Sequence, residues 1–306
     1  MMEIQKQILL FFAGIHNSFL NVVVQIFTIC GEEFVLIALA SFIYYNVNKK
    51  SGFISCLSLI NAISAMGIVK AIVRFPRPWI VIDGIDPIRM HTATGYSFPS
   101  GHTTCAASAY SSFAMCFRKR WVSICCAVMI SLVALSRLYL CVHWPMDVIG
   151  GILIGCGTTF IIGRMFGRLY ENKEKCIKVT MILGIAATAA SVVLSVLLMT
   201  GKAESLAFDD LNISFATYGG LALGFSIERR FLDFTVGEGS WGKKILRYVI
   251  TMATVAILLF GLKPLLVKLD IYNSLTRALR YFLVGLWCCL FPLLGKKMGL
   301  FGTAED

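Results

Sequence analysis

The chain has 306 residues, of which 58% are hydrophobic and only 15% are charged, and its mean hydropathy is +0.78. A soluble globular protein is far less apolar, so that class is excluded and a protein with several membrane-spanning segments is predicted. The net charge of +11 would point to nucleic acid in a soluble protein. Here the cations form short clusters between apolar runs, where they set membrane orientation, and no nucleic-acid partner is predicted.

The N-terminal segment, residues 3–30, is predicted to form helices that lie on the membrane surface. Ile4, Ile8 and Phe11 recur there at helical spacing beside polar residues, which is the pattern of an interfacial amphipathic helix. Nine apolar segments follow, each a candidate to cross a bilayer core of about 30 Å. Their approximate limits are 33–47, 52–73, 102–117, 121–141, 147–165, 177–199, 212–227, 245–266 and 278–295. The first and the seventh are the weakest candidates. The predicted fold class is all-α, a polytopic transmembrane helix bundle.

Cationic residues divide unevenly between alternate loops. The clusters at 49–50, 118–120, 164–178, 229–247 and 296–297 all fall on one side of the predicted bundle. Because positively charged loops favour the cytoplasm, this side is predicted to be cytoplasmic. Nine spans then place the N-terminus outside and the C-terminus inside, in a cell membrane.

Three polar clusters interrupt the apolar pattern between residues 70 and 147. In chain order they are Lys70 with Arg77-Pro78, the run Ser97 to His102, and Ser136-Arg137 with His143 and Asp147. Together they hold cations, imidazoles and a carboxylate, groups suited to bind a phosphate and attack its phosphorus. On the predicted topology all three clusters lie at the extracytoplasmic face.

Local sequence explains how each cluster can serve such a site. Ser100 stands at the N-cap position of a predicted helix, so that backbone N–H groups of Gly101 and His102 can point at an anion. Prolines at 76 and 78 end the preceding helix and turn Arg77 back toward its end. His143 and Asp147 are four residues apart, a spacing that lets the carboxylate orient the imidazole.

Every one of these residues also has a non-catalytic interpretation. A Lys or Arg at the end of a span can snorkel to the interface, and His143 beside Trp144 can be an interfacial anchor. Gly151 and Gly155 are better explained as a small-residue packing face than as part of a site. The non-catalytic interpretation does not explain why every cluster falls at one face of the membrane. Ionisable groups at membrane depth indicate function.

The order and spacing Lys-x6-Arg-Pro, Pro-Ser-Gly-His and Ser-Arg-x5-His-x3-Asp resemble the signature of the type 2 phosphatidic acid phosphatase and vanadium haloperoxidase superfamily. The resemblance covers residues 70–147. It implies a six-helix phosphatase core, here with about three extra C-terminal helices, a layout similar to the glucose-6-phosphatase branch. The resulting division is 1–30 for the interfacial helices, 31–170 for the catalytic core and 171–306 for the further transmembrane helices.

The resemblance also implies a role for each motif residue. His143 is the expected nucleophile that forms a phosphohistidine, Asp147 orients it, and His102 protonates the leaving oxygen. The residues expected to bind the phosphoryl oxygens are Lys70, Arg77, Ser100, Gly101 and Arg137. No metal or other cofactor is predicted, because no carboxylate cluster has metal-ligand spacing. Vanadate is expected to inhibit.

The expected substrate is a lipid phosphate or diphosphate, because the site opens where helices meet the headgroup layer. Undecaprenyl diphosphate, phosphatidic acid, phosphatidylglycerol phosphate and sphingoid phosphates are all compatible. Residues 79–96 are predicted to cover the site as a lip on the membrane, with Ile80, Val81, Ile82, Ile85, Ile88 and Met90 as its apolar surface. Arg74, Arg89 and His91 are the candidates for substrate contact. The alternatives are a sugar phosphatase, a phosphotransferase, a haloperoxidase and a transporter.

Overall fold

The computed structural model describes residues 2–90, 93–236 and 240–302. Within these residues the chain is helical almost throughout. The helices are α1 (Met2–Gly14), α2 (Ser18–Ile29), α3 (Glu33–Asn46), α4 (Lys49–Val73), α5 (Pro78–Val81), α6 (Gly101–Phe117), α7 (Arg120–Tyr139), α8 (Pro145–Leu169), α9 (Lys173–Met199), α10 (Ser205–Phe231), α11 (Trp241–Ala256), α12 (Leu262–Lys268) and α13 (Ser274–Lys297). A π-helical turn, Ile257–Gly261, joins α11 to α12. Eight of the nine predicted apolar segments each correspond to one α-helix, and segment 245–266 covers α11, the π-helical turn and part of α12. The all-α polytopic bundle is thus confirmed.

Fewer helices than predicted are long and apolar enough to cross a membrane. Among the described residues six pass this test: Lys49–Val81, Arg120–Tyr139, Pro145–Leu169, Lys173–Met199, Trp241–Lys268 and Ser274–Lys297. The pair α1 and α2, bent by 120°, could add a seventh. Helices α3 and α6 have 14 and 17 residues, so at 1.5 Å per residue they measure roughly 21 and 26 Å, less than the bilayer core. Helix α10 is long, but its polar residues lower its hydropathy.

The helices group into two compact units. The first consists of Met1–Leu39 and Asn61–Gly163, and the second of Ala40–Ile60 and Arg164–Asp306. The chain passes between the units at three points, and all three fall inside helices, namely α3, α4 and α8. All three polar clusters lie in the first unit. The division of the chain into interfacial, catalytic and C-terminal regions remains a prediction about function.

Helix α1 is packed into the first unit. Leu9 is fully buried and lies in one apolar cluster with Ile82, Ile85, Cys141 and Trp144. This corrects one expectation, since Ile82 and Ile85 were predicted to face the membrane. Hydropathy alone does not distinguish a side chain that meets lipid from one that meets the protein interior.

Other parts of the 79–96 segment match the expected apolar surface. Ile80, Val81 and Met90 are 68%, 51% and 55% exposed. Ile88 packs on Tyr139 and its neighbours in a second apolar cluster and is only partly buried. Of the described residues in this segment, some side chains therefore pack on the protein and others are exposed.

Helices α6 and α8 approach each other closely through glycine. A methyl group at Gly155 would lie 2.4 Å from the carbonyl oxygen of Thr104 and 2.7 Å from Cβ of Ala107, and one at Gly151 would lie 2.9 Å from the carbonyl oxygen of Ser100. Contacts this short show that only glycine fits, which agrees with the predicted small-residue packing face. The close approach brings the start of α6 against the start of α8.

In the second unit, α10 packs between α9 and α13. Gly285 of α13 allows this contact, because a methyl group there would lie 2.4 Å from the carbonyl oxygen of Thr217. At the other end of α10, Lys49 Nζ lies 2.8 Å from Glu228 Oε2 and 2.9 Å from Asp233 Oδ1. The lysine and the glutamate are buried, so each neutralises a charge that would be costly alone.

Candidate active site

His143 and Asp147 form the centre of the site. His143 lies in the turn between α7 and α8, and Asp147 lies in the first turn of α8. Imidazole Nδ1 is 3.3 Å from carboxylate Oδ2. His143 is 2% exposed and Asp147 is fully buried. The pair therefore has the arrangement in which a carboxylate holds an imidazole in one tautomer, with its proton on Nδ1 and a lone pair on Nε2.

Asp147 is itself held by two donors. Ser97 Oγ donates to Oδ2 at 2.5 Å, and the backbone N–H of Trp144 donates to the same oxygen at 2.8 Å. Its carbonyl oxygen accepts from the N–H of Ser100 at 2.9 Å. The two donors to Oδ2 stabilise the carboxylate as an anion. The bonds from Ser97 and Ser100 tie the second polar cluster to the third.

Arg77 brings the first cluster to the same place. Its Nη1 lies 3.0 Å from His143 Nε2. The guanidinium also donates to three backbone carbonyls, those of Gly95 at 3.1 Å, Val142 at 3.0 Å and Thr94 at 2.5 Å. Arg77 is 3% exposed. It is thus fixed beside the imidazole by the two loops that flank it.

Arg137, near the end of α7, is fully buried. Its Nη1 donates to Thr28 Oγ1 at 2.6 Å. Its Nε and Nη2 have no hydrogen-bond partner among the described residues. Buried donors of this kind are costly unless a ligand satisfies them. A bound anion is a natural partner for such a guanidinium edge.

The electrostatics of His143 link it to the cations. Burial lowers the pKa of His143 well below its usual range, and the charges of Arg77, Arg137 and Lys70 lower the pKa further. Lys70 is itself 7% exposed. The imidazole is therefore neutral at ordinary pH, which is the state a nucleophile needs.

Helix α6 begins at Gly101 with Ser100 at the N-cap, as predicted. The Ser100 hydroxyl does not cap the helix but accepts from Thr103 Oγ1 at 3.0 Å. Nε2 of His102 is buried and has no hydrogen-bond partner among the described residues. The first turn of α6 therefore contributes the N-terminus of the helix and the imidazole of His102 to the site.

The residues that form this site lie in a part of the chain that matches a known protein family. Residues 51–171 match the family described as the PAP2 superfamily. Residues 212–304 match its transmembrane extension, described as PAP2 superfamily phosphatase, transmembrane extension. The chain belongs to the PAP2 superfamily.

The matches with curated PAP2 relatives each cover part of this chain. YbjG of Escherichia coli K12 is 34% identical over 36% of this chain and 58% of its own length. The undecaprenyl-diphosphatase of Sulfolobus acidocaldarius is 30% identical over 43% and 63%. The lipid A 4'-phosphatase of Bacteroides thetaiotaomicron is 29% identical over 50% and 72%. The match thus spans less than two thirds of the first two relatives.

The three residues predicted to contact substrate, Arg74, Arg89 and His91, have different surroundings. Arg74 is exposed, and its Nε donates to the carbonyl oxygen of Ala71 at 2.9 Å. Arg89 Nη2 is 2.6 Å from Glu32 Oε1. His91 lies outside the described residues. Arg74 and Arg89 thus contact a carbonyl oxygen and a carboxylate in this structure, and their contact with substrate stays a prediction.

Several residues that support the PAP2 site had no predicted role. Ser97 belongs to the second polar cluster, but the sequence did not indicate its hydrogen-bond partner. Thr28 and Glu32, which contact two arginines, precede the residues matched by the PAP2 family. Thr28 stands in apolar sequence, and Glu32 is followed directly by Glu33. No motif or periodic pattern marks them. No group of three or more His, Cys, Asp and Glu in the described chain is placed to hold a metal ion.

Proposed function

We propose that this protein is an integral membrane phosphatase that hydrolyses a lipid phosphate or diphosphate through a phosphohistidine on His143. The main support for the proposal is the neutral imidazole of His143 paired with the Asp147 carboxylate, with Lys70, Arg77 and Arg137 nearby in the same compact unit. Such a group of cations stabilises the equatorial oxygens of a phosphoryl group throughout its transfer.

The proposed reaction has two displacements. In the first, Nε2 of His143 forms a bond to phosphorus while the bond from phosphorus to the leaving oxygen breaks, and His102 gives that oxygen a proton. In the second, water attacks the phosphohistidine and gives a proton to His102. Phosphate is released, and neutral His143 is regenerated. Asp147 stabilises the imidazole while it carries positive charge.

Anion binding falls to five groups in this proposal. Arg137 uses the two donors that have no partner in the described chain, and Arg77 and Lys70 add charge close to His143. Ser100 and Gly101 contribute the start of α6, where the helix dipole favours an anion. Arg74, Arg89 and His91 remain proposed contacts for the rest of the headgroup.

A lipid is the favoured substrate for two reasons. The curated relatives include enzymes named for undecaprenyl diphosphate and lipid A. In addition, Ile80, Val81 and Met90 present exposed apolar surface on the segment that joins Arg77 to the α6 motif, and a lipid tail can remain beside such a surface in the bilayer. The site is proposed to open at the extracytoplasmic face of a cell membrane.

A phosphate-release panel tests the proposal. The purified protein is given undecaprenyl diphosphate, phosphatidic acid, phosphatidylglycerol phosphate, a sphingoid phosphate and glucose 6-phosphate in detergent micelles. We expect release of inorganic phosphate from at least one lipid, full activity in a metal chelator, and inhibition by orthovanadate.

Three outcomes of the panel contradict the proposal in different ways. Release from glucose 6-phosphate alone would indicate a sugar phosphatase. Transfer of the phosphoryl group to an added alcohol without hydrolysis would indicate a phosphotransferase. An absence of release from every phosphate ester tested would favour a transporter.

A further inference from the structure

The N-terminal helix pair, α1 and α2, precedes the residues matched by the PAP2 family. It nevertheless contacts Arg137, one of the cations proposed to bind phosphate. Thr28, near the end of α2, is fully buried and accepts a hydrogen bond from Arg137 Nη1 at 2.6 Å. A contact of this length to a charged donor is strong. Residue 28 therefore touches a site residue directly.

The position of this bond on the guanidinium matters. Thr28 takes one hydrogen of Nη1, while Nε and Nη2 have no partner within the described chain. A guanidinium is planar, so a bond at one nitrogen fixes the direction of the donors on the others. Thr28 thereby sets the orientation in which Arg137 meets an anion.

The helix pair is held firmly to the elements that carry the site. His16 Nε2 lies 2.6 Å from the carbonyl oxygen of Tyr139, and the Tyr139 hydroxyl donates to Asn21 Oδ1 at 2.7 Å. Gln5 Oε1 accepts from the N–H of Met146 at 3.0 Å. These contacts fall two residues after Arg137 and one residue before Asp147. They keep α2 in register with the end of α7.

We infer that Thr28 is a positioning residue for Arg137, so that the N-terminal helix pair completes the phosphate site. The inference rests on the proposed phosphatase function. Positioning differs from a purely structural role, because it predicts weaker anion binding without general loss of the fold. Misplacement of a charged donor reduces both ground-state and transition-state binding.

The test compares Thr28→Val, which keeps the volume but removes the acceptor, with Thr28→Ser, which retains a hydroxyl. The measurements are the inhibition constant of orthovanadate, and kcat and KM for a soluble phosphate ester. We expect Thr28→Val to weaken vanadate binding and raise KM by about tenfold, the effect of losing one hydrogen bond to a charged group. Thr28→Ser should stay within about twofold of wild type.

Thr159→Val is the matched control. Thr159 is also buried in the first unit, and its hydroxyl bonds to Ser108 at 2.9 Å. Loss of this hydroxyl should lower thermal stability to a similar extent but leave vanadate binding unchanged. If Thr28→Val is not recovered as folded protein, Thr28→Ala takes its place in the same comparison.

A double-mutant cycle with Arg137→Ala separates the possible outcomes. If Thr28 acts through Arg137, Thr28→Val should have no further effect on vanadate binding in the Arg137→Ala background. Independent, multiplicative effects, or a Thr28→Val protein that binds vanadate like wild type, would overturn the inference. Failure of the proposed function would look different: wild type would bind vanadate but release no phosphate from any ester.

Discussion

The contact between Arg77 and His143 joins the proposed nucleophile to a phosphate-binding group. Nη1 of the arginine lies 3.0 Å from Nε2 of the imidazole. Because Nε2 cannot accept from the arginine and bond to phosphorus together, an arriving phosphoryl group must take over this donor. The carbonyls of Gly95, Val142 and Thr94 keep the guanidinium nearby during the exchange. Little movement is needed to expose the nucleophile.

Substitution of the two histidines should separate their roles. His143→Ala removes the nucleophile and should abolish phosphate release from every substrate. His102→Ala removes only proton donation, which is typically worth about 10²- to 10⁴-fold, and the loss should shrink for an ester whose leaving group needs no proton. Rates with p-nitrophenyl phosphate and an alkyl phosphate provide the measurement. Wild-type activity in His143→Ala would rule out the assignment.

The charge state of His143 is also measurable. The pKa of His143 is lowered by burial and then by nearby cations, so its protonated form is disfavoured in the folded protein. Folding stability from this residue should therefore fall as the pH drops below the ordinary histidine value of about 6.5. In spectra of protein labelled at histidine Cε1, with His143→Asn for assignment, the His143 signal should remain that of a neutral ring at pH 6. A midpoint at or above 6.5 would contradict this.

At the scale of elements, the contact of α6 with α8 depends on Gly155. Gly155→Ala places a methyl group 2.4 Å from the Thr104 carbonyl oxygen, and such overpacking typically costs about 1–3 kcal/mol. Gly157 lies on the same helix with no atom within 4 Å of the added methyl group, so Gly157→Ala should leave stability unchanged or raise it slightly. Thermal unfolding in detergent compares the two, and equal midpoints would show that the helices can move apart at little cost.

The elements themselves were predictable from sequence, because long apolar runs bounded by charges produce helices in a membrane protein. The π-helical turn Ile257–Gly261 was not, since no residue type encodes it. The burial of Ile82 and Ile85 was also missed. Their partner Leu9 lies far away in sequence, and hydropathy carries no information about such pairings.

For the site, motif spacing predicted which residues meet, and His143, Asp147 and Arg77 do so. Their supports were less visible. Ser97 and Thr28 are single polar residues whose partners lie 50 and 109 positions away. A hydroxyl can serve many local purposes, so its long-range role is specified only by the folded chain.

For the whole molecule, membrane orientation is the property with the largest biological consequence. The positive-inside bias predicts that residues 118–120 lie in the cytoplasm and that residues 79–96 and 200–204 lie outside. Fusions of a fluorescent reporter that matures only in the cytoplasm should be bright after residue 119 and dark after residue 202. The reverse pattern would place the site on the cytoplasmic side and would change the pool of lipids it meets.

The burial of Leu9 among Ile82, Ile85, Cys141 and Trp144 has a consequence for protein engineering. An engineer who wished to graft or miniaturise the catalytic portion would naturally cut at residue 51, where the family match begins. That cut would remove Leu9 and uncover an apolar face directly behind the His143 turn, a surface prone to self-association. A transplantable portion has to carry the helices from residue 2 onward, together with the turn they cover.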